Sequence, residues 1–126
     1  MVVSLCGVVK NMRGYVRRCM DRRFGQATRK AFEEKTGLAP TDYWDESYPG
    51  GAALDTDQTG IEYAASHGAT MFGYQAHGDH CGGQPDVSDA DIQARLDVQI
   101  AQLSKKYPGR HFRIFATEAG VEIKEV

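Results

Sequence analysis

The segment 70–106 constrains this chain more than any other. An apolar, strand-like run at residues 70–76 passes into a glycine-rich turn and then into a long amphipathic helix, Asp89–Lys106. In that helix Ile92, Leu96, Ile100 and Leu103 fall on one stripe. Ser88 stands where an N-cap belongs, Asp89 and Asp91 suit the positive end of the helix dipole, and Lys105 and Lys106 suit the negative end. Pro108 and Gly109 stop it. Beyond the stop, Phe112, Ile114 and Ala116 alternate, a turn is expected at Ala119-Gly120, and Val121 and Ile123 resume the alternation, as in a strand or hairpin edge.

The first half has the same grain. Residues 1–9 are apolar and β-branched and are expected as a short strand. Gly14–Cys19 is a second strand, finished by Asp21. Residues 26–35 read as a helix, with Ala27, Ala31 and Phe32 at helical spacing and Gly37 as its stop. Residues 41–47 are expected to be extended and closed by Pro49-Gly50-Gly51. Thr59 and Glu62 make a capping-box pattern ahead of a short helix at 61–67, with Gly68 at its end. Strands alternating with helices predict an α/β fold, a small mostly parallel sheet flanked by helices. The 126 residues suit one domain over 1–126.

Charge and composition narrow the partners. The net charge is -2 and the isoelectric point about 6.1, so no basic excess points to nucleic acid. The basic concentration at Arg13, Arg17, Arg18, Arg22 and Arg23 is balanced by acidic residues elsewhere. No apolar run approaches the roughly 18–20 residues that span a bilayer, so no membrane partner is expected. The start lacks the features of a signal peptide. The three cysteines, Cys6, Cys19 and Cys81, do not make a disulfide framework. They fit reduced thiols in the cytoplasm, the compartment expected here.

Two short segments carry chemistry. The first is Cys19-Met20-Asp21-Arg22-Arg23, a C-x-D-x-R at a strand end. Were the extended geometry to persist, a period of two would set Cys19, Asp21 and Arg23 on one side, and thiolate, carboxylate and guanidinium would converge. The second is His77-Gly78-Asp79-His80-Cys81-Gly82-Gly83, after an apolar strand, where sites in α/β sheets commonly sit. Thiolate and imidazole are both good zinc ligands, and glycines let a backbone turn closely round an ion. Cys19, Cys81 and one of the two histidines, His77 or His80, make a three-ligand set, which typically leaves a fourth position open for catalysis. His67 and His111 read as ordinary surface or core histidines.

These residues resemble the β-class carbonic anhydrases, which carry C-x-D-x-R at the end of one strand and H-x-x-C-G at the end of a later one. Cys19, Asp21 and Arg23 match the first motif. His77 to Gly82 matches the second with one extra residue. Tyr48-Pro49-Gly50-Gly51-Ala52 is similar to the family's Asn-Ala-Gly turn, residues 59–65 to its short helix, and residues 114–126 to its final strands. Ser47-Tyr48 replaces the usual Arg-Asn before the glycines, and the family's N-terminal helical arm has no counterpart.

The resemblance implies a Zn2+ ion on Cys19, His77 and Cys81. His80 ranks second, because its adjacency to Cys81 makes joint chelation awkward. It implies reversible hydration of carbon dioxide to bicarbonate by zinc-bound hydroxide, with Asp21 accepting a hydrogen bond from that hydroxide and Arg23 holding Asp21 ionised. It further implies that Asp21 moves onto the zinc when Arg23 releases it. Carbonyl sulfide or carbon disulfide hydrolysis is a related use of the same ligands. A zinc-stabilised binding or assembly module, with Asp21 as permanent fourth ligand, is the non-catalytic alternative. The family's habit implies a homodimer, with residues 1–9 adding a strand or packing across its two-fold axis.

Overall fold

The computed structural model describes residues 12–54 and 57–126, together with the backbone of four residues nearer the start. Those four form β1 (Val2–Val3) and β2 (Val9–Lys10), a two-rung antiparallel ladder pairing Val2 with Lys10 and Val3 with Val9. The rest of the strand expected at residues 1–9, Cys6 included, lies outside the described residues.

The main sheet is built from β3 (Gly14–Cys19), β4 (Tyr43–Tyr48), β5 (Met71–His77), β6 (Arg110–Thr117) and β7 (Gly120–Glu125), in the order β4-β3-β5-β6-β7. The first four are parallel and β7 returns antiparallel. Three helices connect them: α1 (Gly25–Thr36), α2 (Thr59–Ser66) and α3 (Asp89–Lys106). The fold is α/β, a small and mostly parallel sheet with helices on both faces.

Each face has its own core. Phe32 of α1 packs with Val16, Leu38, Tyr43, Phe112 and Ile114 on one side. On the other, Ile61 and Ala64 of α2 and the Ile92–Leu103 stripe of α3 cover Tyr15, Phe72, Tyr74 and Ala76. Because both faces are covered, β5 is buried from Phe72 to His77, the near-continuous burial that parallel strands show.

The ends follow the expected local chemistry with one exception. Gly37 ends α1 in the left-handed region, at φ 76°, and its N–H donates to the Glu33 carbonyl. The Ser88 hydroxyl caps α3 by accepting from the Asp91 N–H. At α2 the capping-box expectation is corrected. Gln58 occupies the cap position, its side chain makes no capping bond, and Thr59 is already helical. The Thr59 N–H is instead accepted by the Asp57 carboxylate at 2.9 Å, so an acid two residues upstream takes the role assigned to Thr59.

The topology also fixes where a ligand can sit. The chain runs from β3 through α1 to β4 on one side, then crosses back to β5 on the other. The carboxyl ends of β3 and β5 therefore flank the point where strand order reverses, the usual crevice of an open α/β sheet. Cys19 ends β3 and His77 ends β5.

Candidate metal centre

Strand alternation places Cys19 on the face of Tyr15 and Ala52. It places His77 on the α1 side, where the imidazole lies 4.8 Å from the Phe24 ring. The two side chains meet beyond the strand ends, and Cys81 is turned back to join them. The Cys19 Sγ, Cys81 Sγ and one His77 ring nitrogen all lie within 4.8 Å of one another, and all three residues are buried. This buried Cys-His-Cys group could hold a metal ion.

The turn that returns Cys81 has two successive non-glycine residues in the left-handed region, Asp79 at φ 54° and His80 at φ 69°. Such conformations are costly and persist only where the surroundings hold them. Here the Asp79 carboxylate accepts the Glu118 N–H at 2.6 Å, pinning the turn to the β6–β7 hairpin. His80 is exposed, and it contributes its carbonyl rather than its ring to the site's hydrogen bonds.

The tautomer of His77 follows from its partner. Its Nδ1 lies 2.7 Å from the Gly78 carbonyl oxygen, which can only accept, so Nδ1 carries a hydrogen. In the neutral ring Nε2 then carries the lone pair. Nε2 is buried and has no hydrogen-bond partner, alone in this among the side-chain nitrogens and oxygens of the described residues. Buried polar atoms are almost always satisfied. An imidazole fixed through Nδ1–H to a carbonyl, with Nε2 aimed at two cysteines, is the arrangement a metal-ligating histidine adopts. The donor chemistry therefore fits a metal.

Asp21 and Arg23 reach this group differently from the expectation. β3 stops at Cys19, the chain bends at Met20, and residues 22–24 turn. Strand alternation does not align Cys19, Asp21 and Arg23. The Asp21 carboxylate instead folds onto its own turn, accepting the Arg23 N–H at 2.9 Å and the Arg23 guanidinium at 2.9 Å. Those hydrogen bonds hold its carboxyl down to about 2, so it is ionised at neutral pH. Its Oδ2 stands 3.6 Å from His77 Nε2. Arg23 also donates to the His80 carbonyl at 2.9 Å and so ties the turn after Cys19 to the turn before Cys81.

Two supporting glutamines escaped the sequence reading. Gln75, fully buried in β5, accepts the Cys19 N–H at 2.8 Å and donates to the Thr28 hydroxyl at 3.0 Å. A polar residue inside an apolar strand was the available signal. Gln84 places its amide nitrogen 3.8 Å from Cys81 Sγ and accepts from Arg95 at 3.2 Å; nothing in its loop position marks it. Gly51 completes the surround. At φ 60°, a Cβ there would overlap the Gln75 carbonyl and lie 2.8 Å from the Cys19 nitrogen, so the glycine turn packs directly behind Cys19.

No protein-family model matches the chain, and no curated protein matches it. Among the described residues, no helix is long and apolar enough to cross a membrane.

Proposed function

We propose that the chain binds one zinc ion through the Cys19 and Cys81 thiolates and His77 Nε2, and that it hydrates carbon dioxide reversibly to bicarbonate. The observation that carries the metal is the orphaned, buried Nε2 beside two thiols. Thiolate with imidazole is a donor set that suits zinc. When bound, zinc supplies a Lewis acid that makes water a nucleophile near neutral pH.

The chain's own residues do the rest. Asp21, held ionised by Arg23, can only accept hydrogen bonds. Its carboxylate, 3.6 Å from the ligating nitrogen, is within reach of a water's proton and orients that water's lone pair. Arg23 fixes the carboxylate by two donors and steadies the turn through the His80 carbonyl. Phe24, buried against His77, excludes bulk water from the imidazole side.

The same 3.6 Å distance favours a second reading, in which Asp21 is itself the fourth ligand and the zinc is structural. Stopped-flow hydration of the zinc-loaded protein between pH 7 and 9 separates the two. Turnover supports the enzyme, and zinc without turnover on carbon dioxide or carbonyl sulfide supports the structural site. A chain that takes up no zinc overturns both.

A further inference from the structure

Among the described residues the sheet ends in β4 on one edge and β7 on the other, and the side chains of these two strands treat a second copy of the chain very differently. On β4 the acidic residues are already engaged: Asp45 with Arg18 and Arg29, and Glu46 with Arg17. Two β4 strands meeting antiparallel near Asp45-Glu46 would set carboxylates against carboxylates.

The β7 edge is the opposite case. Its pairing with β6 sets Thr117 opposite Gly120, Phe115 opposite Glu122 and Arg113 opposite Lys124, and the Val126 N–H donates to His111 O at 2.9 Å. In an antiparallel ladder the hydrogen-bonded pairs alternate. The ladder therefore turns the backbone groups of Gly120, Glu122, Lys124 and Val126 toward β6, and those of Val121, Ile123 and Glu125 outward. Glu122 and Lys124 are both exposed, and among the described residues neither takes part in an ion pair. Lys124 even stands across from Arg113, a like charge, whose own partner is Asp97 at 2.7 Å.

We propose that β7 pairs antiparallel with β7 of a second copy about a two-fold axis through Ile123, joining two five-stranded sheets into one. This register has three features. Ile123 faces its own equivalent as an outward hydrogen-bonding residue, and Val121 faces Glu125 in the same class, so every bond of the new ladder has a donor and an acceptor. Glu122 of each copy falls directly opposite Lys124 of the other, supplying each with a countercharge. Ile123, only half-covered by its own chain, meets its counterpart on the α1 side, with Val121 of each copy diagonal to it. Shifting the axis to Glu125 would oppose two carboxylates, and shifting it to Val121 would run the short ladder into the hairpin turn. Opposite charges directly across a ladder stabilise it and like charges oppose it. The pairing also covers an edge that would otherwise invite association without a fixed register.

The test is sedimentation equilibrium of the full, metal-loaded chain and its charge variants. The wild type is expected to be a dimer at tens of micromolar. Glu122→Lys or Lys124→Glu alone makes both cross-copy pairs like-charged and should raise the dissociation constant about tenfold or more. The double variant E122K/K124E restores both pairs and should return it to within about threefold of wild type. Both positions of charge change are exposed surface, so near-identical circular dichroism is expected for all three variants. A monomeric wild type, or a dimer indifferent to both single reversals, overturns the proposal, as does a double variant no tighter than the singles.

Discussion

Arg17 and Cys19 sit two residues apart on β3, point to the same face, and are both buried, yet their surroundings differ in kind. Arg17 is satisfied from every side. Its Nε donates to the Tyr15 hydroxyl at 3.2 Å and to Glu46 at 3.0 Å, a second nitrogen donates to the Asp57 carbonyl, and its plane lies 4.9 Å over the Tyr48 ring. Tyr15 in turn donates to Glu46, and burial pushes its phenol above the usual range. Around Cys19 the polar groups converge and one of them, His77 Nε2, has no partner. A closed network of this sort needs nothing further, whereas an open one marks the place where a ligand completes the structure.

Removing the ligand should therefore break the second region and leave the first alone. Chelation of the metal-loaded chain is expected to lower the melting temperature by about 10–20 °C, since a ligand held a thousandfold above its dissociation constant contributes roughly 4 kcal/mol. His77→Ala and Cys81→Ser should each abolish stoichiometric zinc by elemental analysis. An apoprotein that melts at the same temperature as the loaded one would remove the distinction drawn here.

Arg17→Met is the converse experiment. It unpairs Glu46 and Tyr15 inside the fold, and loss of one partner of a buried pair costs roughly 3–5 kcal/mol. The Glu46 side chain is 25% exposed and can rehydrate, which places the expected loss near the lower end, about 3 kcal/mol by urea unfolding. Zinc content should be unchanged. If metal is lost as well, the two regions are one network.

The contrast also shows what the sequence made legible. Cys19, His77 and Cys81 could be read because ligand chemistry is restricted to a few residue types, and because strand ends are where such residues gather in α/β folds. The helix Asp89–Lys106 was legible for a similar reason: its stripe, its caps and its stop all agree. Arg17 was counted only as part of a basic cluster, although alternation along Gly14–Cys19 puts it between two residues of the core face. Its meaning depends on Glu46, and a partner 29 residues away leaves no local trace. The placement of Asp21 was hidden differently. The bend after Cys19 depends on the Asp21 carboxylate capturing the Arg23 N–H, a side-chain choice that a periodicity argument does not contain.

Asp21 sharpens the comparison within the candidate metal site. Asp21→Asn keeps the shape and removes the charge that Arg23 holds. A residue that only orients a ligand's surroundings typically changes activity by about 10–100-fold. Carbon dioxide hydration by the zinc-loaded variant should fall by that order with zinc retained. If Asp21 were instead the fourth ligand, zinc affinity would fall and there would be no hydration to lose.

His111 stands between the two regions, because it is a buried histidine whose two ring nitrogens both have partners. It is stacked against Phe72 and Tyr74, with ring centroids 5.1 and 5.8 Å away. Its Nε2 lies 2.8 Å from the Tyr107 carbonyl and its Nδ1 2.8 Å from the Tyr74 hydroxyl. The carbonyl must accept, so Nε2 carries a hydrogen, and in the neutral ring Nδ1 accepts from Tyr74. Burial pushes the imidazole below its ordinary value, and the Tyr107 carbonyl offsets this only in part. The unfolded chain therefore binds a proton at a pH where the folded chain does not. Stability from this residue is fully present above about pH 6.5, and it declines as pH falls from there toward the depressed folded value. The slope from one such group cannot exceed about 1.4 kcal/mol per pH unit. Urea unfolding of wild type and His111→Gln at pH 7.5, 6.0 and 5.0 should show a stability difference that narrows as the pH falls. A difference that is constant across this range would mean that His111 titrates alike in both states, and that its stacking and two hydrogen bonds accommodate the charge.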